Sequence, residues 1–488
     1  MADIGAQEDV VIGAHQKNAV KFQKDIDSFV YTIKGALQAT SVPMPASYIP
    51  TLPIVSWAPD DANSLVINGF NPNQKVSTNL PACAVTRAVG GMATHWTCAC
   101  LTRRREERNP INQRELDALL RHGKALLDVN GDQFDESIRH HVIESTLADA
   151  VEGTREVRST PLAARRCPEN KKFVTWSGSN TVLGEDLSTN KNSRFTLSPE
   201  TRVTRLVRDP FDPSKIVAAV CRNLKTDRDV LVKYTFVIAC GSICTPQILW
   251  NSRIRPDALG KHLTEQSIAF CQIVLKRSIV EAISTNPAYK DLVTKHRVKH
   301  PNDPLPIPFD FPEPQVTIPY SSKYPWHTQI YRDAFSYGDI GPRSNPRVVV
   351  DLRFFGKSDI AEKTRSPLAT TTPTSMACRS RPSVSSALER METAITDMTS
   401  TANILGRYLP GSEPQFMEAG LALHITGTTR IGNDTKTSVA DPESKVHGFK
   451  NLRVGGNGCI PDSTACNSTL TSVAIAIKGA ESVVAYLK

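Results

Sequence analysis

The sequence predicts an α/β protein in which helices pack on a parallel sheet, with an α+β region inserted into that layer. Two observations carry the prediction. Short strand-like runs alternate with helical ones along 488 residues without an internal repeat. Two legible βα units, one around Tyr234 to Leu249 and one from Leu452 to the C-terminus, are also separated by a stretch of different character.

In the first unit, Tyr234 to Cys240 reads as a buried strand, Gly241 permits a tight turn, and Thr245-Pro246 offers an N-cap and a first-turn proline for a helix through Leu249. A nucleotide fits at such a strand end. In the second unit, Leu452-Arg453-Val454 is a short strand and Gly455-Gly456-Asn457-Gly458 a tight turn, followed by a loop to Asn467 and a helix. Leu470, Val473, Ile477 and Val484 recur at helical spacing, so one face turns inward while the N-terminus near Asn467 to Thr469 points at whatever fills the turn and favours negative charge there. Between the units, residues 263–423 carry Pro304-Leu305-Pro306-Ile307-Pro308 and the strand-like Val348 to Phe355. This stretch is expected to form a substrate-facing α+β domain inserted between 1–262 and 424–488. Glu362 to Ser386, rich in Ser, Thr, Arg and Pro, is expected to be loop or disorder.

Composition narrows the function. At 40% apolar residues the chain can bury one large core or two cooperating ones. The net charge of +9 comes from 58 basic against 49 acidic residues spread along the chain. Its densest run, Arg103 to Arg108, includes Glu106 and Glu107 and reads as a solvated helix face, since adjacent acids oppose phosphate binding. No nucleic-acid partner is expected. Eleven cysteines without a CxxC pair point to reduced thiols and argue against a zinc or disulfide framework. The first residues lack a basic head and an apolar stretch, and no uninterrupted apolar run of about 18 residues follows, so neither a signal peptide nor a membrane partner is expected.

Four segments carry chemistry: Gly90 to Cys98 (GGMATHWTC), Trp326-His327-Thr328-Gln329 leading into Asp333 to Gly338 (DAFSYG), Leu423 to Gly432 (LHITGTTRIG), and Asn451 through Asn467-Ser468-Thr469-Leu470-Thr471. Oxidising a secondary alcohol requires removal of the hydroxyl proton as a hydride leaves carbon, a role suited to a near-neutral histidine assisted by an amide. His424 is the candidate, although its apolar neighbours Leu423 and Ile425, taken alone, fit a hydrogen-bonded core histidine better.

Together, in this order, the four segments resemble the GMC oxidoreductases, and within them the sugar-oxidising branch. The resemblance implies a flavoprotein fold with a Rossmann-like FAD-binding domain and an inserted substrate-binding domain, and oxidation of glucose-like aldopyranoses at C2 with oxygen or a quinone as acceptor. It implies His424 and Asn467 as the catalytic pair and His95 as the point of covalent attachment to the 8α carbon of FAD. It also places Asp3, Gly90, Gly91, Thr94, Trp96, Thr97, Cys98, Val203, Cys240, Gly241, Asn457 and Thr469 against the cofactor. Around the sugar it places Gln329, Tyr331, Asp333, Phe335, Ser336, Tyr337 and Arg353. Asp333 and Arg353 would then form an ion pair, and Tyr331 stands where the family usually has histidine. Homotetramer formation is a further implication, and no metal is implied.

The sequence contains no GxGxxG, and Met1 to Gly5 resembles the end of the family's second strand, with Asp3 matching the ribose-binding acid. The first βα element of the FAD-binding domain is therefore expected to be missing. The same residues leave open another GMC alcohol or sugar dehydrogenase, and a non-catalytic relative that binds no flavin.

Overall fold

The computed structural model describes residues 1–7, 10–19, 23, 37–39, 84–86, 88–170, 173–189, 191–192, 194–233, 235–332, 345–358, 384–417 and 423–488. Along the first half run β1 (Leu37–Ala39), β2 (Ala84–Thr86), α1 (Gln113–Leu126), β3 (Val129–Asn130), α2 (Ile138–Ala150), β4 (Arg158–Ser159), β5 (Leu162–Arg166), β6 (Val174–Trp176) and α3 (Ser179–Ser188). Next come the antiparallel ribbon β7 (Thr201–Arg208), β8 (Ile216–Asn223) and β9 (Arg228–Val232), then β10 (Phe236–Ile238) and α4 (Gly241–Asn251). The second half holds β11 (Ser267–Leu275), α5 (Arg277–Thr285), α6 (Lys290–Lys299), β12 (Val316–Thr317), β13 (Trp326–Tyr331), β14 (Val349–Gly356), α7 (Val384–Leu405), β15 (Gly406–Tyr408), β16 (Gln415–Phe416), β17 (Leu452–Val454) and α8 (Thr469–Leu487).

Two apolar cores result. The first surrounds the parallel pair β10–β17 and takes Leu116, Leu119 and Leu120 from α1, Ile248 and Leu249 from α4, and Leu470, Ala474 and Ile475 from α8. The approach of α8 to α1 is close because Gly123 lacks a side chain: a Cβ there would meet Leu470 and Val473 at 3.3 Å. α8 is long and apolar enough to cross a membrane by length and composition, yet its first half is spent in this core. Leu470 and Ile477 face inward as expected, but Val484 is exposed, because the last turns of the helix run past the packed layer.

The second core lies under a seven-stranded sheet among the described residues, ordered β15-β11-β14-β13-β12-β4, with β16 also on β11. Its pairings are antiparallel, as an α+β region requires. The β13 run Trp326 to Tyr331 is buried at every position, so its His and Gln residues have to find partners inside the protein. α2 and α7 pack on this core through Ile143, Leu147, Met398 and Ala402.

Three local expectations need correction. The helix after β10 starts at Gly241, whose φ of +77° lets the chain turn directly out of the strand, so Thr245 and Pro246 lie inside it. Pro246 has no N–H to offer Ser242, and the Thr428 hydroxyl donates to the Ser242 carbonyl at 2.5 Å instead. Residues 384–386 of the supposed loop at 362–386 begin α7, while the rest of that segment lies outside the described residues. Arg103 to Arg108 is not a helix face: the run is irregular, and Arg103 and Glu107 are buried, Arg103 paired with Glu107 and the Glu107 carboxylate accepting the N–H of the remote Ala465.

Candidate active site

His424 sits where the two layers meet. The Ser242 hydroxyl of α4 donates to the Ile425 carbonyl at 2.8 Å, and Thr426 pairs with Thr264 just before β11. The segment 424–428 is thus held between the nucleotide-type unit and the antiparallel sheet. Asn467 ends the loop before α8, and three groups clamp that loop. The Glu107 carboxylate accepts the Ala465 N–H at 3.0 Å, the His327 Nδ1–H donates to the Ala465 carbonyl, and Gln266 Nε2 lies 2.8 and 2.9 Å from the Thr464 and Cys466 carbonyls.

These constraints place the Asn467 amide nitrogen 3.0 Å from His424 Nε2 and its carbonyl 2.5 Å from Gln329 Nε2. On its other side, His424 Nδ1 lies 2.5 Å from Gln266 Oε1. Phe355 of β14 stacks on His327 at 4.7 Å and leans on His424 at 5.3 Å, closing the apolar side. Burial pushes His424 down to about 3, and the positive potentials of His327 and Arg353 push the same way. His327 goes down to about 4 through burial, against the pull of its Ala465 and Asn467 hydrogen bonds. Beside them Glu265 accepts the backbone N–H groups of His424 and Gln266, yet burial still pushes its carboxyl up to about 8. The site therefore offers an uncharged imidazole whose Nε2 accepts from an amide donor, and a hydroxyl group that takes that donor's place meets a base able to receive its proton.

Gln329 and Arg353 are register partners on β13 and β14, and the Arg353 guanidinium lies over the rings of Phe270 and Tyr331 at 5.4 and 5.6 Å. Tyr331 is buried at the end of β13. Asp333, Phe335, Ser336 and Tyr337, with the expected Asp333–Arg353 pair, lie outside the described residues.

A second cluster lies at the carboxyl ends of β10 and β17. Asp3 accepts the Gly5 N–H at 2.8 Å and the Gly90 N–H at 3.4 Å, and its charge acts on the Cys240 thiol at the end of β10. The Asp3 carbonyl accepts the Thr201 N–H, which puts Val203 two residues along β7. His95 follows the short turn Gly91–Thr94, buried, with its ring nitrogens 3.1 Å from the Thr94 hydroxyl and 3.3 Å from that of Thr86; burial pushes it down to about 4. Trp96 donates to the Ser177 carbonyl at 2.7 Å, Cys98 is buried at φ +59°, and Thr97 between them is half-buried. Asn457 donates to the Ser468 hydroxyl at 2.9 Å at the foot of α8.

Two features of this cluster fit a flavin dinucleotide. A Cβ on Gly91 or Gly241 would meet no atom within 4 Å, so both glycines face open space at positive φ. The first turn of α8, beginning at Thr469, has no side-chain cap, and the buried Thr471 hydroxyl has no hydrogen-bond partner among the described residues. That end of the helix favours an electron-rich group.

Sequence reasoning missed Gln266, His327, Glu265 and Glu107. For Glu265-Gln266 the available signal was a polar pair immediately before the largely apolar β11, whereas His327 stands in the half-polar run WHTQIY and carries no such signal.

Comparison with known proteins shows the family of the chain. A family model described as GMC oxidoreductase matches residues 373–476. The chain is 55% identical to a pyranose 2-oxidase of Tricholoma matsutake over 100% of its own length and 89% of the relative's. It is 32% identical to a C-glycoside 3-oxidase of Microbacterium trichothecenolyticum, over 82% of this chain and 76% of that one. A crystal structure of formate oxidase superposes with a TM-score of 0.58 at 13% identity, covering 82% of this chain and 84% of that one, a likeness of fold alone.

Proposed function

The chain belongs to the pyranose 2-oxidase family of GMC oxidoreductases, and on that footing we propose that it is an FAD-dependent enzyme oxidising glucose-like aldopyranoses at C2 to 2-keto sugars. The observation that carries the reading is the buried His424–Asn467 pair, its imidazole and amide 3.0 Å apart, with Gln329 bonded to Asn467 and the charge of Arg353 acting on His424. When bound, FAD would supply a hydride acceptor, with oxygen, giving hydrogen peroxide, or a quinone as the final acceptor.

The residues of the chain do the rest. With sugar bound, its hydroxyl takes the place of the Asn467 N–H at His424 Nε2, which receives the hydroxyl proton, while Asn467 Nδ2 donates to the hydroxyl oxygen so that this proton points at the imidazole. Gln329 holds Asn467 from the sheet side, and Arg353 and Tyr331 contact the remaining sugar hydroxyls. Phe355 and the β13 side chains keep bulk water from the base. Asp3 would hold the ribose of the cofactor, Gly91 and Gly241 would leave room for it, and His95 would be its point of attachment. A division into 1–262, 263–423 and 424–488, and a homotetramer, belong to the same proposal on the strength of family membership.

The test is rapid-mixing reduction of the flavin-loaded protein by D-glucose, with product identification by NMR and a peroxide assay. A 2-keto sugar is expected, and His424→Ala should slow flavin reduction roughly 10²–10⁴-fold, the usual worth of a general base. A 3-keto product would move the chain towards the C-glycoside oxidases. An unchanged reduction rate in His424→Ala would remove His424 from the mechanism.

A further inference from the structure

Gln266 touches His424 on one side and the loop that carries Asn467 on the other. It directly precedes β11 and is buried. Its Nε2 faces two carbonyl oxygens, Thr464 at 2.8 Å and Cys466 at 2.9 Å. A carbonyl oxygen only accepts, so that end of the side chain is the NH₂ group and the other end is the oxygen. The oxygen lies 2.5 Å from His424 Nδ1, which must then be the donor. A neutral imidazole has one N–H, so Nε2 carries the lone pair, and it faces the Asn467 amide nitrogen, which donates. The other end of Asn467 agrees: its oxygen accepts from Gln329 Nε2 at 2.5 Å.

We infer that Gln266 is a positioning residue: one amide fixes His424 as the Nδ1–H tautomer and, with its other end, sets the 464–467 loop so that Asn467 meets the free Nε2. This rests on the reading of His424 as the base. The identity of the partner is informative. A histidine base is often oriented by a carboxylate, which favours imidazolium and raises basicity. A neutral amide orients the ring without that effect, and the titratable groups around it do not reverse this: His327 and Arg353 oppose a proton on His424, and burial favours the protonated form of Glu265. The base is thereby held uncharged while its direction is set.

Two variants of the flavin-loaded full chain test this. Gln266→Met keeps the volume and removes both hydrogen-bonding ends. Gln266→Glu keeps an acceptor for Nδ1–H, and in its protonated form keeps a donor for one carbonyl. The readouts are ¹⁵N NMR of histidine-labelled protein, with the His424 signals identified by their loss in His424→Asn, and the rate of flavin reduction by sugar. The unmutated protein should show Nδ1 protonated and Nε2 bare. In Gln266→Met the Nε2–H form should appear and reduction should slow at least about tenfold, up to about 10⁴-fold if the wrong tautomer dominates, with the sugar dissociation constant little changed. Gln266→Glu should keep the Nδ1–H signature and recover at least about tenfold of the lost rate. A Met variant that retains the Nδ1–H form, or Met and Glu variants alike in tautomer and rate, would overturn the inference. If no aldopyranose reduces the unmutated protein, the proposed function fails, but the tautomer comparison still decides the role of Gln266.

Discussion

Lowering the pH from about 7.5 to about 5.5 should destabilise this protein through its buried histidines. Burial pushes His15 and His424 down to about 3, and His95, His140 and His327 down to about 4, from an ordinary value of 6.5. Each folded-state value lies below the unfolded one. The stability these rings contribute is therefore intact above 6.5 and is lost as pH falls towards 3–4, because the unfolded chain binds protons that the folded one refuses. At about pH 5.5 each ring forfeits roughly 1–2 kcal/mol, and the five together about 7 kcal/mol. Glu265 works the other way: raised to about 8 from 4.5, it holds a proton in the fold that the unfolded chain releases, and it returns about 2–3 kcal/mol over the same interval. A net loss of about 4 kcal/mol remains, a large part of the ordinary stability of a folded domain. Thermal unfolding in buffers of matched ionic strength should show a Tm roughly 5–10 °C lower at the acid end. Unfolding at about pH 5.5 should also take up about 3–4 protons, measurable with an indicator dye. An unchanged Tm, or uptake of one proton or fewer, would show that these rings are not neutral and dry in the folded protein.

Flavin-loaded protein precipitated with acid should keep its colour, with a peptide spanning His95 carrying the flavin mass, and His95→Ala should release it; loss of colour from the unmutated protein would refute attachment. The buried pair Lys17–Glu313 lies under Trp176, whose ring is 4.2 Å from the ammonium. Lys17→Met should cost about 3–5 kcal/mol in denaturant unfolding and the Lys17→Met, Glu313→Met double variant much less, since an uncompensated buried charge is worse than none. Thr428→Val should cost about 1–3 kcal/mol by leaving the Ser242 carbonyl unpaired, and much less when combined with Pro246→Ala, which restores an N–H for that carbonyl. Additive costs would show that the hydroxyl does not replace the proline's missing donor.

The parts that were legible in the sequence are those whose cause is local. Leu452 to Gly458 and the helix from Thr469 follow from a short apolar run, glycines and helical periodicity within one stretch of chain. The misreadings have remote causes. Pro246 looks like a helix start by the usual rule, and it lies inside α4 because Thr428, far along the chain, supplies the donor it lacks. Glu107 looks like part of a solvated charged run because its neighbours are charged, yet it is buried because Ala465, 358 positions away, presents an N–H to it. No periodicity reports such a pairing.

The same distinction runs through the candidate site. His424 and Asn467 are visible in sequence as residue types suited to proton removal, but their electrical state is a property of the assembled interior. Desolvation keeps the His424 ring neutral, and the ring stays oriented because every partner along His327, Gln329, Asn467, His424 and Gln266 can be assigned one consistent direction of donation. Such a chain of neutral groups can be buried without leaving a polar atom unpaired or a charge uncompensated. Its members come from β13, from the segment before β11, and from the two loops that carry His424 and Asn467, so the antiparallel sheet fixes the direction of a base that the nucleotide-type unit holds in place. Reversing one amide in this chain sets two donors or two acceptors face to face. A substitution on the sheet can therefore disable the base without touching it.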